Sequence, residues 1–318
     1  HELSVTDALK GNISSILSLS GSWRSVWNFV DNSHGNQNKT ESIIVFKQLH
    51  LKRSFDHQSF SYHQTDAMAM ERLSSSDFVI DSYGFCGQTI LVEWAPISAR
   101  ELVKNETIGS YQRLKMARNL ARGLNHIHSI DYGRGKVPTL AHNDINIANL
   151  ASVDSKNLKF NDFNLAVLLK WKKGNRTVPC GFPVCFEGNL WRSPEEIKNA
   201  SFVNEKADVY ALGNVLFQIL TRHQPWTWLE PNGRLSLPQI AKQKEKGIIP
   251  HFPEKIVRSG KVAHVALYHG ILACYRSDPY KRPTAYQLVE GFQKALRWIM
   301  KKEKPSYDEV KSLFSENH

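Results

Sequence analysis

Apolar residues recur at two different periods along this chain, and the change of period divides it. Up to Ala95 the apolar runs are short and rich in β-branched residues: Ser42–Leu49 (Ser-Ile-Ile-Val-Phe-Lys-Gln-Leu) and Thr89–Trp94 (Thr-Ile-Leu-Val-Glu-Trp). Runs of this kind between polar loops predict strands. Between them, Asp66–Leu73 carries Ala, Met and Glu with almost no breakers, which predicts a helix. The Asn/Gly/Ser-rich segment Asp31–Thr40 reads as an exposed turn between strands.

From Pro96 onward the period is helical. Ser110–Ser129 places Leu114, Ala117, Ala121, Leu124 and His128 on one face, the stripe of a core-facing helix. Asp208–Leu220 is apolar on nearly all sides and predicts a buried helix with Asp208 as its N-cap. Val262–Tyr275 and Ala285–Lys301 are further amphipathic helices, and Pro305–Phe314 adds a short terminal one. No internal repeat interrupts this order. A small strand-rich part ahead of a larger helical part gives an α+β fold.

Composition refines the picture without redirecting it. The 318 residues are 41% hydrophobic and 22% charged, the balance of an ordinary globular protein with ample chain to bury a core. A net charge of +11 would suit polyanions, but Lys and Arg are scattered, and the short clusters Lys172-Lys173 and Lys301-Lys302 read as solvated surface. No nucleic-acid partner is expected on that distribution. The most hydrophobic segment, Val209–Leu220, falls short of the roughly 20 apolar residues that a membrane helix requires. The chain begins with His1, so the lack of a visible signal or anchor within it decides nothing about what precedes it.

Four cysteines are too few for a disulfide scaffold. Cys180 and Cys185 lie in the loop Cys-Gly-Phe-Pro-Val-Cys, where a small disulfide is possible, and no further ligands are spaced for zinc. Five N-x-S/T sequons occur, at Asn12, Asn38, Asn105, Asn175 and Asn199. Together with the cysteine pair they keep a lumenal or extracellular location open beside a cytoplasmic one.

The chemistry concentrates in Ala-His-Asn-Asp-Ile-Asn-Ile-Ala-Asn-Leu at 141–150 and Asn-Asp-Phe-Asn at 161–164. An acid (Asp144), an amide (Asn149) and a second acid (Asp162) are what phosphoryl transfer from a Mg-nucleotide needs. The spacing resembles the catalytic loop of protein kinases, H-R-D-x-x-x-x-N, and the D-F-G segment after it. Across residues 15–300 the chain is similar to the eukaryotic protein-kinase domain. That resemblance implies a bilobal fold. Residues 1–95 would form a five-stranded sheet with one helix, 96–302 a helical lobe with the catalytic and activation loops, and 303–318 a helical extension.

Further roles follow from the resemblance. Lys47 in Ile-Val-Phe-Lys looks like the strand lysine that grips the α- and β-phosphates, and Glu71 like its helix partner. Leu91-Val92-Glu93-Trp94-Ala95-Pro96 looks like the hinge, with backbone groups at Glu93 and Ala95 for the adenine edge and Val92 limiting pocket depth. As bare sequence, these are also an ordinary strand lysine and an ordinary core strand. Asp144 would accept the hydroxyl proton, with His142 supporting the loop, while Asn149 and Asp162 hold Mg²⁺ or Mn²⁺. Glu195 in Trp-Arg-Ser-Pro-Glu would pair with Arg282, and Asp208 would hold the catalytic loop's backbone.

Four departures from the family pattern bear on activity. The glycine-rich loop is reduced to Gly21, Trp23 and Val26 in Leu19-Ser-Gly-Ser-Trp-Arg-Ser-Val26, and bulkier side chains there limit how closely backbone N–H groups approach phosphate. Asn143 replaces the arginine that reads a phosphorylated activation loop, so activity is expected not to depend on phosphorylation by that route. Asn146 stands where many Ser/Thr kinases have a lysine at the γ-phosphate. Asn164 replaces the glycine after Asp-Phe, and asparagine can supply the positive φ that the turn would need. Three readings follow: a kinase moving the ATP γ-phosphate to a protein Ser/Thr hydroxyl, a pseudokinase serving as a binding or scaffold module, and a kinase-fold enzyme acting on a small molecule or glycan.

Overall fold

The computed structural model describes residues 13–20, 24–31, 42–50, 52–130, 137–172, 175–183, 190–198, 203–227, 230–231 and 233–315. Its N-terminal part is an antiparallel sheet of β1 (Ile13–Ser20), β2 (Arg24–Asp31), β3 (Ser42–Leu49), β4 (Ser82–Cys86) and β5 (Thr89–Glu93), with the strands in the order β1-β2-β3-β5-β4. Helix α1 (His57–Arg72) joins β3 to β4. The strand period explains the most consequential placement in this lobe. Alternation along β3 puts Val45, Lys47 and Leu49 on the buried face, so the lysine points inward beside core residues.

Helix α1 is longer at its start than the predicted Asp66–Leu73. Asp56 caps it by accepting the Ser59 amide at 2.7 Å, and the added turns bury Ser59 and His63. Residues 57–65 are polar or aromatic with weak helix propensity, so the cap and this packing decide the helix there. Its buried residues Ser59, His63, Asp66, Ala67 and Met70 recur at helical spacing and form one core-facing stripe.

Beyond β5 the chain is mainly helical. β6 (Ile97–Ser98) leads into α2 (Ala99–Lys104), whose capping box is closed by Ser98 and Glu101, and then into α3 (Ser110–His128). Short strands β7 (Leu140–Ala141), β8 (Leu150–Ser152), β9 (Lys159–Phe160) and β10 (Val167–Leu168) bracket the polar loops at 142–149 and 161–166. They pair as β6-β8-β9 and β10-β7, which fixes both loops on one side of the helical lobe.

After these strands come α4 (Pro194–Ile197), α5 (Lys206–Thr221), α6 (Leu237–Glu245), α7 (Glu254–Val257), α8 (Val262–Cys274), α9 (Ala285–Met300) and α10 (Tyr307–Ser312). Helix α5 is buried on every side from Ala207 to Thr221. It begins before the predicted Asp208, so Asp208 lies in its first turn rather than at its N-cap, and its carboxylate serves another part of the chain. All five residues of the predicted α3 stripe are buried, and one hydrophobic core runs from β3 and β5 through α3, α5 and α8 to α10. Among the described residues no helix is long and apolar enough to cross a membrane.

One ion pair ties three segments of the helical lobe together. Arg282 donates Nη1 and Nη2 to the two carboxylate oxygens of Glu195 at 2.6 and 2.7 Å. The same guanidinium donates to the carbonyls of Lys206 and Arg276 and lies 5.0 Å from the Tyr210 ring centroid. The Arg282 side chain is fully buried and Glu195 is 15% exposed, so removing one partner strands a charge in the core. Glu195→Ala is expected to cost about 3–5 kcal/mol of folding free energy. Urea denaturation would measure it as a lower midpoint at unchanged slope.

Candidate active site

The loop after β7 is organised by the carboxylate of Asp208, which reaches it from the first turn of α5. Asp208 Oδ2 accepts the His142 amide at 2.8 Å, and Oδ1 accepts the Asn143 amide at 2.8 Å. His128 Nε2, at the end of α3, lies 3.0 Å from Oδ2. Burial by itself would raise this carboxyl's pKa. The His128 contact, the charges of His128 and His142, and the Asn143 amide outweigh it and hold the pKa below its ordinary value. The His142 ring, wholly buried, packs 4.7 Å from the Phe163 ring centroid and joins the two polar loops.

Asn143 and Asn146 both bond locally. Asn143 adopts φ 62°, a left-handed conformation that asparagine tolerates, and its Nδ2 donates to the Leu165 carbonyl at 3.1 Å. Arg192 Nη1 donates to the Asn143 carbonyl at 2.7 Å and to Glu196 at 2.9 Å, fastening the segment before α4 to the catalytic loop. Asn146 Oδ1 caps the turn at 147–149 by accepting the Ala148 amide, while its Nδ2 donates to the Asp144 carbonyl. Its side chain is thus engaged within its own loop.

Asp144 and Asn149 are in direct contact. Asn149 Nδ2 donates to Asp144 Oδ2 at 2.7 Å and to the Asp144 carbonyl at 2.8 Å, which turns its amide oxygen away as an acceptor. The Asn149 carbonyl accepts the Asn161 amide at 3.0 Å, and Asn161 Oδ1 accepts from Lys47 Nζ at 2.5 Å. Asn161 therefore links the strand lysine to the loop that carries Asp144. Sequence spacing marks Asp162 beside it and carries no signal for Asn161 itself.

The helix acid that faces Lys47 is Asp66 and not Glu71. Glu71 is exposed near the end of α1, about 140° around the helix from Asp66 at 3.6 residues per turn. Asp66 is fully buried, and its Oδ1 accepts the Phe163 amide at 2.6 Å. Its Oδ2 contacts Arg24 Nη1 at 2.5 Å. Burial pushes the Lys47 pKa down, against the opposing pull of Asp66 and Asp162. For Asp66 burial acts upward, but Arg24 and Lys47 outweigh it and keep the carboxylate ionised.

Asp162 is the unsatisfied group of the site. Burial and then the neighbouring Asp66 raise its pKa, with Lys47, Arg24 and His142 pulling the other way, and its Oδ1 is buried without a hydrogen-bond partner. Asp162 takes the positive φ of this turn (64°), and Asn164 does not, so the substitution of Asn164 for glycine needs no left-handed backbone. A buried carboxylate oxygen with no donor, together with the outward amide oxygen of Asn149, forms an oxygen-only set of the kind hard cations take. These residues fit Mg²⁺ or Mn²⁺. Among the described residues no three His, Cys, Asp or Glu side chains form a metal site by themselves, so substrate phosphate would complete the coordination.

On the sheet side, Val45 and Val92 are paired across β3 and β5 and buried, as is Leu150 in β8, while Val26 and Ala95 pack partly buried against the same core. Glu93 sends its side chain to Lys159 at 2.7 Å, and its backbone N–H donates to the Asp81 carbonyl at 2.9 Å. Gly21 and Trp23, the segment 32–41 and Cys185 lie outside the described residues. Cys180 is exposed, and its possible disulfide partner Cys185 lies outside the described residues. Of the sequons, Asn105 is exposed at the end of α2, where its side chain accepts from Thr107.

Comparison with known proteins agrees with this geometry. The family described as "Protein kinase domain" matches residues 30–292. The probable serine/threonine-protein kinase drkC of Dictyostelium discoideum is 25% identical over 260 residues, covering 79% of this chain and 31% of its own length. A second Dictyostelium discoideum protein, named a probable serine/threonine-protein kinase, is 30% identical over 254 residues, covering 78% of this chain and 25% of its own. The dual specificity protein kinase shkD of the same organism is 26% identical over 214 residues, covering 65% and 25% respectively. The chain thus spans about a quarter to a third of the length of these relatives.

The depressed pKa of Asp208 gives this site a pH signature. Its folded value lies below the ordinary 3.8, so its stabilising contribution is complete above that value and is lost as pH falls through the folded one. The wild-type urea midpoint should therefore fall on acidification below about pH 4–5. Asp208→Asn should be less stable at neutral pH and show a shallower acid limb. Equal acid limbs in the two proteins would contradict this account.

Proposed function

Because the chain belongs to the protein kinase family, we propose that it transfers the γ-phosphate of ATP to a Ser or Thr hydroxyl of a protein substrate. One observation carries this reading: a continuous hydrogen-bonded path joins Asp144 through Asn149 and Asn161 to Lys47, and Asp162, with its unpartnered oxygen, adjoins that path. The names of two of the relatives support the choice of Ser/Thr hydroxyls.

Each side chain has a task that its contacts favour. Asp144, oriented by Asn149 Nδ2, receives the hydroxyl proton as the substrate oxygen bonds to the γ-phosphorus and the bond to the β–γ bridging oxygen breaks, releasing ADP. Lys47 offers its ammonium to the α- and β-phosphates from the buried face of β3. Asp162 and Asn149 would hold the cation, which would supply neutralisation of phosphate charge in the transition state. The adenine edge would meet backbone groups at Glu93 and Ala95, with Val26, Val45, Val92 and Leu150 supplying apolar surface for the ring.

A second reading, a nucleotide-binding pseudokinase, is favoured by one specific observation. Asn146 caps its own loop and brings no positive charge to the γ-phosphate. Purified protein, radiolabelled ATP and Mg²⁺ or Mn²⁺ separate the two. For an active kinase, Asp144→Asn should lower incorporation about 10²-fold or more, the contribution of a positioned base. Phosphoamino-acid analysis should find phosphoserine or phosphothreonine. In thermal unfolding, a nucleotide-metal pair at a hundred times its Kd should add about 2.7 kcal/mol. Stabilisation by nucleotide with equal background incorporation in both proteins would establish the pseudokinase reading and overturn the enzyme.

A further inference from the structure

In the cleft, the inward carboxylate of α1 is paired with an arginine of the sheet, and the strand lysine bonds elsewhere. Arg24 opens β2, opposite Leu49 of β3, while Val26 stands opposite Lys47. Arg24 and Lys47 are therefore diagonal neighbours on one face of the sheet, within reach of the same acid. The arginine holds it: Arg24 Nη1 lies 2.5 Å from Asp66 Oδ2, with the two side chains 10% and 0% exposed. Lys47 Nζ donates to Asn161 Oδ1. Asp66 spends its other oxygen on the Phe163 amide, the residue next to Asp162.

Two chemical facts favour this division. An aspartate is one methylene shorter than a glutamate, so from α1 its carboxylate stops short of where a longer acid would end. A guanidinium on a longer, forked side chain reaches back to it and presents several donors. The result is a quartet of two buried cations, Arg24 and Lys47, with the buried Asp66 and the half-buried Asp162. In it the ammonium remains the cation not committed to the helix acid.

Resting on the kinase reading above, we propose that Arg24 is a positioning residue of phosphoryl transfer. It anchors Asp66 and, through the Asp66–Phe163 amide bond, fixes Asp162, while leaving Lys47 to the phosphates. Losing Arg24 would leave Asp66 to draw Lys47 away from Asn161 and would loosen the turn that carries Asp162. The consequence falls on folding, because Asp66 is left buried without its cation, and on the chemical step, and the double variant, which removes both charges, separates the two.

The test compares the whole chain with Arg24→Ala, Arg24→Lys, Asp66→Asn and the double variant Arg24→Ala/Asp66→Asn. Hydrogen exchange of the Phe163 amide is read by NMR on ¹⁵N-phenylalanine-labelled protein, and turnover is assayed with Mg-ATP. Arg24→Ala should speed exchange of that amide about tenfold or more, lower kcat by a similar factor, and shift the KM for ATP much less. Arg24→Lys, which keeps the charge, should recover part of both losses. The double variant should be scarcely worse than either single one, the mark of a shared path. Unchanged Phe163 exchange in Arg24→Ala, or fully additive losses in the double variant, would overturn the proposal. A wild type that exchanges slowly but shows no turnover would sink the kinase reading, and the Phe163 exchange in the variants would still decide whether Arg24 sets this turn.

Discussion

The arrangement depends on one buried carboxylate. Asp208 leaves the first turn of a helix surrounded by core and takes two backbone amides of the catalytic loop and one histidine nitrogen. Helix α5 is buried on every side, so it cannot shift without opening the core, and whatever it grips inherits that rigidity. The loop is thereby referenced to the core rather than to the surface. Asp144 and Asn149 are then placed by short local bonds, and His142 transmits the same reference to Phe163 and the second loop. Preorganisation of this kind is what a positioned base and a metal-binding acid require.

Spacing revealed the parts of the site that are contiguous in sequence. Asp144, Asn149 and Asp162 stand at fixed offsets in two short loops, and no side-chain geometry was needed to see them. Lys47 is legible from its position, on a strand upstream of a helix and of the hinge-like run, while the face it occupies is seen only in the structure. Residue type points to Glu71, but rotation around the helix decides which acid faces the cleft. The stripe Ser59, His63, Ala67 and Met70 points to Asp66, and that signal was present in the sequence once the helix was taken to start at His57. Arg24 carried no local signal. It contacts a residue 42 positions away, so only the fold brings the pair together. Backbone conformation was the other blind spot: the left-handed residues of these loops are Asn143 and Asp162, not Asn164.

The asparagines of the site share a physical logic. Asn143, Asn146, Asn149 and Asn161 each replace or accompany a charged group, and each uses its amide to bind neighbouring backbone or side-chain atoms. A short amide satisfies donors and acceptors at close range without importing a charge that must be desolvated. The charges that remain are therefore few and matched, Arg24 with Asp66 and Lys47 beside Asp162. This economy has a mechanistic consequence. Where a phosphate-reading arginine is absent, Arg192 reaches the Asn143 carbonyl and Glu196, tying the segment before α4 to the catalytic loop with groups the chain already carries. The contact needs no added phosphate, so the loop's order is a property of the fold. Among the described residues Arg24 with Asp66 is the ion pair that bridges sheet and helix, and through the Phe163 amide it carries the order of both to the turn of Asp162.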